Sequence, residues 1–323
     1  MGLGEPTRRP LSLLLLVFGA SLANGAQSAA CWIRDVASYG DETTWVLCDN
    51  GRIYRTDDGG GTWTTLHLGE VRARAIRLSS VHHAVVACAD GLLLVTEDGG
   101  ASWRPRVSGV RSHLNSIAIR GNSVWVAGND GTILNSADGG QTWRVQPSLT
   151  RNNLEGIWFL DEQHGWAVGW NGIILRTADG GSSWEPVSAA NVYQTLTAAW
   201  FRSQLEGWVV GIAGLILYTV DGGNTWSRLA SPDPGWLRSI VFAPDGTGYI
   251  VGERILASHD GGKSWHPLKL DAGEALVALV LSRGRLWAFG PHTMATSNDG
   301  GDSWVIAQKF FDVNVGSASP VTG

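Results

Sequence analysis

One octapeptide recurs seven times along this chain, and no other feature restricts its folding so strongly. Thr56-Asp57-Asp58-Gly59-Gly60-Gly61-Thr62-Trp63 is followed by copies at 96–103, 136–143, 177–184, 219–226, 258–265 and 297–304. Every copy keeps a Ser or Thr at the start, an Asp-Gly-Gly core, a second Ser or Thr and the closing Trp. The closing tryptophans are Trp63, Trp103, Trp143, Trp184, Trp226, Trp265 and Trp304, at an almost constant spacing. A period so regular describes one supersecondary unit stacked against copies of itself. Asp before two glycines is turn chemistry: glycine accepts positive φ, and the carboxylate bonds neighbouring amides. The flanking hydroxyls close further local bonds, and the Trp carries a large ring into the next strand.

The remainder of each unit divides into four short strands. In the fourth unit, 155–160 alternates as a first strand, 165–169 is a second, Asn171-Gly172 is a two-residue turn, 173–177 is a third and 184–187 a fourth. Units of about 40 residues with four strands make propeller blades, so the expected fold is an all-β, seven-bladed β-propeller. The octapeptide resembles the Asp-box, or bacterial neuraminidase repeat, which joins the third and fourth strands of a blade. The composition agrees: 43 glycines and 17 tryptophans accompany only two methionines. The expected layout is a signal peptide over 1–26, the propeller over 31–309 and a C-terminal tail over 310–323.

The N-terminus has the form of an export signal. Arg8 and Arg9 precede the apolar run 11–20, with cleavage expected after Gly25 or Ala26. The run is short for a bilayer span and none longer follows, so no transmembrane helix is expected after cleavage. Two other readings of these residues stand beside this one: a twin-arginine signal, and a lipid anchor on Cys31 after Ser28-Ala29-Ala30. Without residues 1–26 the chain has 22 basic and 28 acidic residues, a formal charge of −6. That balance gives no global attraction to nucleic acid.

Cys48 and Cys88 precede Trp63 and Trp103 by the same interval at which Gly128, Gly169 and Gly211 precede the tryptophans of their units, a pattern of small residues at a crowded spot. A hairpin turning near Tyr39-Gly40 sets Cys31 opposite Cys48, and an exported chain can oxidise such a pair. Cys48–Cys88 and three free thiols are the alternatives. No cysteine or histidine spacing suits a metal site, and no cofactor is expected.

Glycoside hydrolysis needs two carboxylates at a defined separation. The box aspartates Asp58, Asp98, Asp138, Asp179, Asp221, Asp260 and Asp299 are expected to be structural, each satisfied inside its own turn. Glu155, Asp161, Glu162, Glu206 and Glu253 are scattered, and the Arg-Ile-Pro segment of sialidases is absent. A binding surface is better placed on the face opposite the boxes. Its loops and third-strand entries hold Arg72, Arg74, Arg106, Arg111, His113, Arg151, Trp170, Tyr193, Trp236, Arg238 and Arg254. Arginine with aromatics makes a good recognition surface, here diluted by Glu155, Asp233, Glu253 and Asp271.

The extended unit reads Leu-x-x-Ile-x-Phe, Gly-Trp-x-Val-Gly, Gly-x-Ile-x-x-Ser/Thr and the box, nearly so from Leu154 to Trp184 and from Leu196 to Trp226. It resembles the photosystem II stability/assembly factor family and its relatives in non-photosynthetic bacteria, over about residues 31–309. The first two units depart from it, with Val85-Val86-Ala87-Cys88 in place of the Trp-x-x-Gly pattern. The resemblance implies a non-catalytic propeller on the periplasmic or thylakoid-lumenal side, with an arginine-rich face. Its partner would be a membrane-protein assembly intermediate or exposed tail. A carbohydrate-active propeller, either hydrolase or glycan-binding module, is the alternative.

Overall fold

A computed structural model describes residues 31–282 and 284–307; the leader and tail readings lie outside them. Twenty-eight strands form seven four-stranded antiparallel sheets, each taking its strands in chain order. First strands run Ile33–Tyr39, Ala73–Leu78, Leu114–Arg120, Leu154–Phe159, Leu196–Phe201, Leu237–Phe242 and Ala278–Ser282. Each lies beside the first strand of the next blade, and the seventh returns beside the first, so these strands surround an axis. Blade 7 consists only of C-terminal residues, and the ring closes without a shared strand.

The boxes fall between third and fourth strands. In the first, Thr56 Oγ1 donates to Asp58 Oδ1 at 2.7 Å, and the Thr62 amide and hydroxyl donate to the two oxygens of Asp58 at 2.9 and 2.7 Å. The Gly60 amide donates back to Thr56 Oγ1 at 2.8 Å. The other six aspartates make the same bonds. Hydrogen bonding to the ionised form lowers a carboxyl pKa. Bonds from Ser102 and Thr225 hold Asp98 and Asp221 down at about 2.

Large aromatics fill the space between blades. Second strands run Thr43–Cys48, Ala84–Cys88, Ser123–Gly128, Gly165–Gly169, Gly207–Gly211, Gly248–Gly252 and Arg285–Phe289. From them Trp125, Trp166 and Trp208 reach into the seam, fully buried, and donate Nε1–H to the carbonyls of Gly180, Gly222 and Gly262 in the next box. The expected two-residue turn at Asn171-Gly172 is a three-residue turn, Trp170–Gly172, with Asn171 and Gly172 at φ +56° and +68°. The crowded glycine position is real: a Cβ on Gly169 would sit 2.0 Å from the Asn153 carbonyl oxygen.

Cys31 and Cys48 form a disulfide between Cα atoms 5.4 Å apart. Cys88 is free and buried, and burial pushes its thiol up to about 12.

Candidate functional site

In six of the seven blades the first strand pairs with the second through a β-bulge near its start. The register skips one residue each time: Arg34, Arg74, Asn115, Glu155, Thr197 and Arg238. A bulge leaves its extra residue outside the ladder and re-aims its side chain. All six line a chamber of about 320 Å³ that continues along the first strands past Trp158 and Trp200. Val277 completes the ring from blade 7.

Above the ring lies a mouth of about 640 Å³, lined by Trp32, Arg34, Glu155, Trp170, Trp236 and Arg238 among others. The three tryptophans are 53%, 47% and 53% exposed, unusual for so large an apolar ring. Trp32 stands edge-on to His292 at 4.9 Å. Trp170 donates Nε1–H to Glu155 Oε1 at 2.7 Å. The Arg238 guanidinium lies 5.2 Å from the Trp236 ring centroid, a cation–π contact.

The ring is electropositive. Arg74 donates from Nε to Asn115 Oδ1 at 2.8 Å, and Asn115 donates onward to Asn129 Oδ1 and the Leu154 carbonyl at 2.9 Å each. Burial first, then repulsion by the Arg34 guanidinium, pulls Arg74 below the usual arginine range, while Glu155 opposes. Burial and Arg34 act likewise on Arg238, with Glu253 opposing. Arginine stays protonated through such shifts, so three guanidinium groups share the space with one ring carboxylate. Arg238 Nε is buried with no hydrogen-bond partner among the described residues. Asp35, just below, accepts the Ile76 amide at 3.0 Å and an Arg77 nitrogen at 2.6 Å, tying blade 1 to blade 2.

Of the residues expected on this face, Trp170, Trp236 and Arg238 meet at the mouth and Arg74 lies in the chamber. Arg72 is on the rim, paired with Asp90 at 2.6 Å, and His113 Nδ1 accepts the Asp90 amide at 3.2 Å. Arg111, Arg151, Tyr193 and Arg254 are exposed on outlying loops. Arg106 is a correction. It follows shortly after Trp103, at the place where Gln146 of the next blade also packs on a neighbouring box, and its guanidinium crosses the seam to bond Gln141. Trp32 and Arg34 are site residues that the sequence reading misses. The signal for Arg34 is a register, since Arg34 precedes Trp63 by the same interval at which Arg74 precedes Trp103.

Among the described residues no group of three His, Cys, Asp or Glu side chains could hold a metal ion, and no helix is long and apolar enough to cross a membrane.

Ring, mouth and boxes together define an Asp-box propeller with an electropositive, tryptophan-rimmed axial cavity. The chain belongs to the photosynthesis system II assembly factor YCF48 family, whose model matches residues 70–152 and 146–235. No curated protein matches the chain significantly in sequence. Among solved structures, YCF48 bound to D1 peptide is similar with a TM-score of 0.66 at 20% identity, over 81% of this chain and 89% of that one. YCF48 from Cyanidioschyzon merolae is similar at 0.66 and 17% identity, over 82% and 94%. The GH74 xyloglucanase from Xanthomonas campestris shares the fold at 0.67 and 14% identity, over 84% of this chain and 52% of that one.

Proposed function

We propose that this chain is an exported, non-catalytic binding scaffold whose axial mouth holds an exposed segment of a membrane protein or of its assembly intermediate. One observation carries the reading: three exposed tryptophans and the guanidinium groups of Arg34 and Arg238 converge on a single cavity. Aromatic and arginine side chains supply most of the energy in such recognition sites. The arginines suit a segment bearing carboxylates, which guanidinium groups bind in a two-pronged geometry. The relative solved with D1 peptide supports a polypeptide ligand.

The carboxylate inventory supports the non-catalytic reading. Glu155 is the carboxylate at the mouth, and its Oε1 is held by Trp170. Asp35, in the chamber, is held by Arg77. Neither is poised as half of an acid–base pair.

The test is crosslinking in living cells from a photoreactive residue at position 170. The expected capture is the exposed part of an integral membrane protein, lost in the Arg34→Glu, Arg238→Glu double variant. An unchanged set of captured proteins in that variant would refute the mouth as the site. Reducing sugar released from a glycan panel would refute the non-catalytic reading.

A further inference from the structure

Three consecutive connections on the box-free side carry large apolar side chains into solvent. Val107, between blades 2 and 3, is 89% exposed; Leu149, between blades 3 and 4, 81%; Tyr193, between blades 4 and 5, 76%. None of the three lines the mouth or the chamber.

Leu149 also has an uncommon backbone. Its φ is +57°, in the left-handed region, where an L-residue with a bulky side chain is strained. The preceding connection shows what the corner ordinarily takes. Ser108 Oγ donates to the Val110 carbonyl at 3.3 Å and Ser148 Oγ to the Thr150 carbonyl at 3.4 Å, so the corners correspond, and Gly109 stands where Leu149 does, at φ +79°. A Cβ built on Gly109 meets nothing within 4 Å. A leucine at such a corner is strained and, at its exposure, buries little against the described residues. Strain held without internal benefit points to an external partner.

Charge beside these tips indicates which partner. Arg111 and Arg151 are exposed, shortly after Val107 and Leu149 in their connections. Neither makes an ion pair among the described residues. Of the acids on the neighbouring turns, Asp90 is paired with Arg72 at 2.6 Å, while Asp130 accepts the Ser112 hydroxyl at 3.0 Å and keeps its charge. Each of the three comes from a different connection, and a lipid interface takes such side chains one at a time. Apolar and aromatic tips flanked by arginine match the boundary between acyl chains and anionic headgroups.

We propose that this rim seats the protein on an anionic lipid bilayer, with Val107, Leu149 and Tyr193 entering the headgroup boundary and Arg111 and Arg151 meeting lipid phosphates. The proposal does not rest on the mouth's ligand. The test uses the protein purified from expressing cells and vesicles of phosphatidylcholine, with or without phosphatidylglycerol. Wild type should sediment with the anionic vesicles and be released by salt. Leu149→Gly with Val107→Ser should lower the partition coefficient by at least about tenfold, the least that accompanies burial of one such apolar side chain. Arg111→Glu with Arg151→Glu should remove the preference for anionic over neutral vesicles. Leu149→Gly alone should keep or raise the thermal midpoint by relieving strain. Variants that bind vesicles like wild type overturn the proposal, as does absence of wild-type binding. A lowered midpoint in Leu149→Gly overturns it too, by making the leucine structural.

Discussion

Six seams of the ring join blades that follow one another in sequence, and the seventh joins blade 7 to blade 1; the two kinds are built differently. At each internal seam a donor reaches a glycine carbonyl of the next box. Arg55 meets Gly99 at 2.5 Å, His83 meets Gly139 at 2.8 Å, and tryptophans serve the next three seams. Tyr249 meets Gly300 at 3.4 Å in the last of them. At the closing seam no such donor reaches the Asp58 box among the described residues. A cavity of about 340 Å³ lies there instead, between Gly59–Gly61 and Ser282, Arg285, Trp287 and Asn298. Closure relies on apolar contact, with Trp287 against Gly60 and edge-on to Trp63 at 6.0 Å. Backbone and hydroxyl bonds add to it, from the Ile33 amide to the Pro291 carbonyl at 3.0 Å and from Ser282 to the Asp41 carbonyl. Covalent continuity lets the internal seams register through polar bonds, while the closing seam depends on fit and on the disulfide that secures its first strand.

The comparison is most readily broken at Gly60. A Cβ there would lie 1.8 Å from Trp287 Cη2, on a backbone at φ +89°. Gly60→Ala should cost about 4 kcal/mol in urea unfolding, overpacking and left-handed strain together. A loss below about 1 kcal/mol would show that the closing seam yields and does not depend on the fit of Trp287 against Gly60.

Next is the disulfide. Replacing both Cys31 and Cys48 by Ser should cost about 3 kcal/mol, the loop-closure value for a separation of 17 residues. Trp32 and Arg34 lie just after Cys31, so ligand binding at the mouth should weaken while the far blades keep their hydrogen-exchange protection. Uniform loss of protection around the ring would mean that the closing seam has no separate role.

At an internal seam, Trp208→Phe removes the bond to the Gly262 carbonyl at 2.9 Å and part of a fully buried ring. About 2 kcal/mol is expected from calorimetry. A change under about 0.5 kcal/mol, the size of an ordinary surface substitution, would deny that the polar bond matters there.

The smallest effect is pH dependence from the boxes. Folded-state pKa values of about 2 for Asp98 and Asp221 lie below the ordinary aspartate value of 3.8. Stability from a depressed carboxylate is present above the unfolded pKa and lost as pH falls through the folded one. Thermal midpoints should therefore decline between about pH 4 and pH 2, less so in Asp98→Asn. An identical profile in that variant would exclude the box as a source.

The ring could be read from sequence because its constraint is written seven times: a turn suited to Asp-Gly-Gly, followed by a tryptophan at a nearly fixed period. The axial ring was less legible. Its residues fall at unequal distances after the preceding box tryptophan, because the connections vary in length, and each is selected by a bulge that strand alternation does not reveal. Arg34 is harder still to read, because no box precedes blade 1. Arg106 misleads because its backbone is near the expected face while its side chain runs across a seam. In blade 6 the crowded glycine, Gly252, lies closer to its box tryptophan, Trp265, than Gly211 does to Trp226, since the hairpin at Glu253-Arg254 is shorter.

Because a bulge residue has no partner across the ladder, the six axial positions are free of the rules that bind the strands around them. Beta propensity and facing pairs are met by other residues, so a change among Arg, Asn, Glu and Thr at the ring changes its chemistry, and the bonds Asn115 and Thr197 make to the next first strand, while leaving the ladders intact. The fold thus carries a small alphabet at its centre, one letter to each of six blades, that can be respelled while the wheel around it turns out the same.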